Sequence, residues 1–227
     1  MKKKLFIALA CLAVALGATS FTTTNTDDTP FEGVVTYAIT IDGNPAATKF
    51  ISDSSTVQLF IKGDKSVFVF LTHNWTDTTK TLIYDTAKGT EPLAYSQIMG
   101  KKYNPKVDKP SVDIKGTDET KEIAGYSCHR VNIKVDLGDR YSNYSGAVYY
   151  TEDIPNSFGG TYGEYQSLKG LPLQFTMASN MISYTYTAIS VKKQAVSNDR
   201  FAIPTGYEVM TSQQMRKSLK NSIMGKN

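Results

Sequence analysis

The chain is poor in residues that bind metals and do chemistry: two cysteines, Cys11 and Cys128, two histidines, His73 and His129, and one tryptophan, Trp75. A metal site needs three or four convergent ligands. Two separated histidines and a thiol do not make such a set, and Asp77, Glu152 and Asp153 add oxygens without a ligand-like spacing. No metal is expected. Also absent are a Gly-x-Ser-x-Gly elbow, a phosphate-binding loop, a dinucleotide fingerprint and a His-Glu-x-x-His helix, so no cofactor is expected. Charge of one sign is lacking too. The formal net charge is +4, but Lys2, Lys3 and Lys4 belong to the extreme N-terminus, and without them 22 basic residues face 21 acidic ones. That near-balance, without a basic cluster, gives no electrostatic footprint for nucleic acid.

Long apolar runs are confined to the start, "MKKKLFIALACLAVALGATSF". Three lysines, an apolar run from Leu5 to Leu16 and small residues at Gly17, Ala18 and Ser20 have the anatomy of a secretory signal, residues 1–20. The run is too short to span a bilayer, so no transmembrane span is expected in the mature chain. Cys11 sits inside the apolar run, with Ala8 where a lipobox prefers leucine, which argues against a lipid anchor there. The expected address is the periplasm or the outer membrane. Once Cys11 leaves with the signal, Cys128 is the only thiol, and no internal disulfide can staple the domain.

A polar leader, 21–30, precedes a domain over 31–210. "FEGVVTYAITI" is rich in β-branched residues, and "STVQLFI" returns as "SVFVFL" through a Gly63-Asp64 turn. Further strand patterns lie in "TKTLIYD" and at 126–136, 146–151, 172–177, 181–193 and 207–210. Regular short strands between turns predict a mainly β, antiparallel protein. "PLAYSQIMGKKY" fits a short helix from about Glu91 to Met99. Residues 211–227 read as an amphipathic helix: Thr211 and Gln214 form a capping box, and Met215, Leu219 and Ile223 share a face.

Cys128 beside His129 suggests a nucleophile and its base. On a strand the two point to opposite faces. Alternation puts His129, Val131, Ile133 and Val135 on one face, and Tyr126, Cys128, Arg130 and Lys134 on the other. Cys128 is therefore expected to be a packing residue and His129 a core or edge imidazole. Glu152 and Asp153, adjacent and before a proline, read as the end of a strand and the start of a turn rather than a glycosidase pair. No catalytic residue is expected, and the chain is expected not to be an enzyme. Tyrosines and glycines crowd "NSFGGTYGEYQS", and loops carry function more often than strands do.

The segments "ETKEIAGYSC" (Glu119 to Cys128), "GLPL" (Gly170 to Leu173) and "FAIPTGY" (Phe201 to Tyr207) together resemble the secreted Bacteroidota family known as domain of unknown function 4412. The likeness runs from Phe31 to Met210, with Tyr149 where that family would carry tryptophan. The resemblance implies a fold of the LolA/LolB lipoprotein-carrier group: a strongly curved antiparallel half-barrel with a few helices on its concave side. It implies no catalytic residues. The expected function is binding of a lipid or another apolar ligand in the concavity, with Phe68, Phe70, Val131, Ile133, Phe175, Tyr162 and Tyr165 as candidate lining residues. The alternative is an interaction module that binds an envelope protein through the loop 157–166.

Overall fold

The computed structural model describes residues 30–43, 56–72, 78–85, 93–98, 101–106, 110–136, 143–159, 163–178 and 182–211, with 213, 214, 217, 218 and 221 beyond them. The signal, all of the leader but Pro30, His73, Trp75, Asp77, Tyr162, Met215, Leu219 and Ile223 lie outside these residues. Among them are twelve strands: β1 (Glu32–Gly43), β2 (Thr56–Lys62), β3 (Lys65–Thr72), β4 (Thr78–Asp85), β5 (Leu93–Ile98), β6 (Lys101–Lys106), β7 (Ser111–Ile123), β8 (Tyr126–Asp136), β9 (Tyr144–Thr151), β10 (Leu171–Ala178), β11 (Ile182–Lys193) and β12 (Glu208–Thr211). They form one sheet in the order β12-β6-β5-β4-β3-β2-β1-β11-β10-β9-β8-β7. Every pairing is antiparallel except that of β12 with β6.

Turn chemistry sets the hairpins. Gly63, at φ +54°, opens the two-residue β2–β3 turn, the place where a left-handed first residue suits the strand twist. The β7–β8 turn needs φ > 0 at both central residues, and Ala124 (50°) and Gly125 (84°) supply it, the alanine at a steric cost.

The sheet is an antiparallel half-barrel. Register shifts supply its curvature. One leaves Ile189 of β11 between two paired neighbours, one leaves Leu173 of β10 unpaired against β9, and one sets Thr117, Asp118 and Glu119 of β7 opposite Arg130 alone. Each extra residue bends its strand and sharpens the twist. The outcome is large. Cα atoms of β7 and β11 come within 8 Å, whereas four flat inter-strand steps would separate them by about 19 Å.

The concave face carries the main core, which includes Val35, Tyr37, Leu59, Phe68, Val148 and Phe175. The convex face of β1–β5 is covered as well: Val196, Phe201 and Tyr207, from the segment after β11, pack on Val34, Phe60, Val67, Ile83 and Tyr95. Glu32 ties that segment down, accepting from the Val196 N–H at 2.6 Å and pairing with Lys62 at 3.3 Å.

The expected helix at 91–99 is a strand instead. Leu93–Ile98 is β5, paired with β4 on one side and β6 on the other. Two waiting strand edges outweigh the weak helical preference of "LAYSQI". The capping box is made: Thr211 N–H donates to Gln214 Oε1 at 2.8 Å, and Gln214 N–H to Thr211 Oγ1 at 3.2 Å. The described positions after it are helical. Ser218 lies 3.3 Å, hydroxyl to hydroxyl, from Tyr103, which is paired with Ser96 on the same face as the core residue Ala94. This segment therefore reaches the concave side.

Candidate functional site

A segment with no helix among its described residues fills the concavity over β1–β3 and β8–β11. After β9 the chain turns at Glu152 and Asp153, both exposed, and then runs inward. Ile154, Phe158, Tyr165 and Leu168 join the core from it, all at most 7 % exposed. The Leu171 N–H donates to the Ile154 carbonyl at 3.1 Å, closing the segment into a loop whose ends meet, the geometry of an Ω-loop.

The loop is bonded to itself. Asn156 clamps it: Nδ2 donates to the carbonyls of Tyr165 (2.7 Å) and Leu168 (2.9 Å), and Oδ1 accepts from the Phe158 N–H at 3.1 Å. Backbone bonds from Tyr165 to Gly159, Gln166 to Gly163 and Leu168 to Tyr165 complete the internal set. Side-chain hydrogen bonds also join it to the sheet: Ser66 Oγ donates to the Ser157 carbonyl, and the Tyr144 hydroxyl donates to Glu164 Oε1 at 2.7 Å. Gly170, where the loop returns, must be glycine, because a Cβ there would stand 1.8 Å from the Thr151 carbonyl oxygen.

Rings form the contact. Phe158 lies 4.9 Å from Phe68 and 5.5 Å from Phe175, centre to centre, and Tyr165 lies 5.5 Å from Phe175. Phe175 in turn stacks on Tyr186 at 4.7 Å, and Tyr37 meets Phe68 and Phe175 edge-on. Embedded in these rings is a polar cluster. Glu164 is 1 % exposed, a position a carboxylate occupies only with partners. Among the described residues the fully buried Tyr165 hydroxyl and Ser157 Oγ make no well-aligned hydrogen bond, the Tyr165 hydroxyl having that of Tyr144 beside it. Burial and the charge of Glu164 hold the Tyr165 phenol well above its usual range. Burial, then the neighbouring Tyr165 and Glu164, do the same for Tyr144.

Of the sequence-predicted lining residues, Phe68, Val131, Ile133, Phe175 and Tyr165 come together in one core, none more than 6 % exposed. The side chain of Phe70 and all of Tyr162 lie outside the described residues. Sequence reasoning missed Tyr37, Tyr144, Phe158, Glu164 and Tyr186. Phe158 and Glu164 stood in the loop singled out by its tyrosines and glycines, but as an expected working surface. Of that loop Ser157, Phe158, Gly159, Glu164 and Tyr165 are buried, Gly163 is half-buried, Gln166 is exposed, and 160–162 lie outside the described residues.

The strand faces around Cys128 are corrected too. Cys128 and Val131 are both buried, although simple alternation puts them on opposite faces. Their partner strand changes phase at the same level, with Val148 and Thr151 both buried, beside the register shifts in β7 and β10. His129 is exposed rather than at the head of an apolar face, and lies 6.0 Å from the Tyr150 ring. Buried and exposed respectively, Cys128 and His129 form no dyad. Burial above all, then the charge of Asp153, pushes the thiol up to about 11, so it is protonated at neutral pH, and it donates to the Tyr126 carbonyl at 3.5 Å. Among the described residues no group of three or more histidine, cysteine or acidic side chains is placed to hold a metal, and no helix is long and apolar enough to cross a membrane.

No family model and no curated protein matches the chain. Among solved structures it is similar to the lipoprotein LppX of Mycobacterium tuberculosis at 10 % identity, over 74 % of this chain and 89 % of that one, with a TM-score of 0.32. LprF from Mycobacterium bovis gives 10 % identity over 78 % and 90 %, with a TM-score of 0.33. MucB gives 10 % identity and a TM-score of 0.28 over 77 % of this chain, which spans 58 % of the MucB chain.

Proposed function

We propose that this chain is a non-enzymatic binding protein, exported to the cell envelope, that takes a lipid or another apolar ligand on the concave face of its half-barrel, in the place the Ω-loop fills. The observation that carries the reading is the character of that filling. One loop occupies the concavity, clamped on itself by Asn156 and packed on the sheet through the rings of Phe158 and Tyr165. Such a loop can leave as a unit with its internal bonds kept, and its departure bares an aromatic trough. An apolar ligand entering that trough gains about 25 cal/mol per Å² of buried surface before ordering costs. The proposed address rests on the signal-like N-terminus. The non-enzymatic reading is supported by the separation of Cys128 from His129.

The test is mass spectrometry of lipids extracted from the mature protein, purified mildly from its native envelope. A stoichiometric lipid, absent from an unrelated envelope protein prepared in parallel, is the expected result. A protein that comes out empty and takes up no added fatty acid or phospholipid would overturn the reading in favour of a protein-interaction module.

A further inference from the structure

The two edges of the sheet differ. The edge strand β12 has 4 residues; β7, at the other edge, has 13, and among the described residues it pairs with β8 alone. The Cα atoms of β7 approach β11, yet every residue from Lys115 to Glu122 is exposed. A long edge presents unpaired backbone N–H and C=O groups to another strand, and shortness, charge and bulges are the usual defences. β12 is short. β7 is charged and bulged instead.

Asp113, Lys115, Glu119 and Lys121 stand on the face opposite the core. Asp113 lies opposite Lys134 and Lys115 opposite Asn132, on either side of the Ile114–Ile133 pair that packs inward. Glu119 accepts from the Tyr149 hydroxyl and from Arg130, and Lys121 donates to Gln174 at 3.1 Å. Tyr149 and Gln174 are the outward neighbours of the core residues Val148 and Phe175. In the bulge, Thr117, Asp118 and Glu119 face Arg130 alone, an excess of two, so alternation on its two sides stays in phase.

Reversed about Thr117, this row is its own complement. Asp113 meets Lys121, and Lys115 meets Glu119, of a second, antiparallel β7, and two-fold symmetry makes each pair twice. The two bulges coincide at the axis, and Gly116 beside it has open space where a side chain would stand. A strand of another sequence must match both the charge order and the bulge. The features that guard the edge thus select one partner. We infer that β7 is the self-association edge of this protein: two copies pair β7 to β7 about a two-fold axis at Thr117, and one sheet runs through both. Internal contacts leave the charges available. Lys115 and Asp113, 3.7 Å apart, are 76 % and 60 % exposed, and the Lys121 ammonium has donors beyond the one given to Gln174. A ladder with exposed ion pairs makes a weak, salt-sensitive dimer. None of this depends on what the concavity holds.

The experiment is sedimentation equilibrium of the purified mature chain from about 1 µM to about 1 mM at low salt, with hydrogen exchange read at both ends of the range. A monomer–dimer equilibrium is expected, with protection gained on β7 at the high end and none gained on β12. Asp113→Lys and Lys121→Asp, each checked for a native circular dichroism spectrum, turn two unlike pairs into like ones. Each should weaken the dimer at least about tenfold. The double variant Asp113→Lys/Lys121→Asp exchanges the charges, keeps both pairs unlike, and should return to within about threefold of wild type. Salt at about 0.5 M should weaken the wild-type dimer. A chain that stays monomeric throughout, a dimer whose β7 amides gain no protection, or a double variant as weak as the single ones overturns the inference. Each of these leaves the ligand reading untouched.

Discussion

Tyr165 is the residue at which the closed form is least comfortable. Among the described residues its fully buried hydroxyl makes no well-aligned hydrogen bond, with only the Tyr144 hydroxyl beside it, a loss of about 1–3 kcal/mol relative to a satisfied group. Tyr165→Phe keeps the ring and its packing and removes the poorly bonded oxygen. Chemical denaturation should find it more stable than wild type by about 1 kcal/mol, against the usual direction for a core substitution. Ala124 is the second such residue, held at φ 50° in the β7–β8 turn. Ala124→Asn converts that turn to Asn-Gly, the pair the geometry prefers, and should raise the melting temperature by an amount equivalent to about 0.5–1 kcal/mol. Cys128 combines full burial with a thiol that stays protonated. It should ignore a thiol reagent in the native state and react only on unfolding; rapid native labelling would show an opening at β8 that packing does not predict.

At the scale of elements, the Ω-loop and the sheet beneath it are separable in principle, because the loop carries its own hydrogen bonds. Phe158→Ala removes the ring that touches Phe68, Tyr165 and Phe175. It should cost about 3–5 kcal/mol if loop and sheet unfold together. If the loop undocks alone, the variant should instead lose hydrogen-exchange protection across 154–170 while β1, β8 and β11 keep theirs, and global stability should fall by less. Gly170→Ala is a sharper probe of the same joint. The added methyl collides with the Thr151 carbonyl, so the backbone must move, and a loss of at least about 2 kcal/mol is expected.

For the molecule as a whole, the acid limb of stability should trace to ion-paired carboxylates on its surface. The Tyr149 hydroxyl and Arg130 hold Glu119 below its ordinary value of 4.5, and the Val196 N–H, with Lys62, does so for Glu32. A depressed carboxylate contributes stability that is present above its unfolded value and is lost as pH falls through its folded one. Melting temperature should therefore decline below about pH 4.5, with a shallower decline in Glu119→Gln. At the alkaline end the sign reverses for Cys128. Its raised value keeps its contribution up to about pH 9 and gives it up between there and about pH 11.

Alternation of β-branched residues, glycine turns and scarce helical patterns were enough to read a mainly β, antiparallel protein, the β2–β3 hairpin and the Thr211 cap, because each of these depends on neighbours along the chain. Phe68, Val131, Ile133 and Phe175 were legible as inward residues for the same reason, whereas Tyr165 stood in a loop without strand alternation. Other features depend on what arrives from far away. Leu93–Ile98 became a strand because β4 and β6 offer it two edges. Cys128 and Val131 share the interior because register shifts in the neighbouring strands rotate the sheet between them. Glu164 reads in sequence as an exposed acid in a glycine-rich loop. It is buried because Asn156 folds that loop upon itself and ring packing draws it into the concavity, beside a tyrosine twenty residues away in the chain. Local pattern determined the strands; curvature and the filling of the concave face came from bulges, strand edges and long-range packing, which no short window of sequence contains.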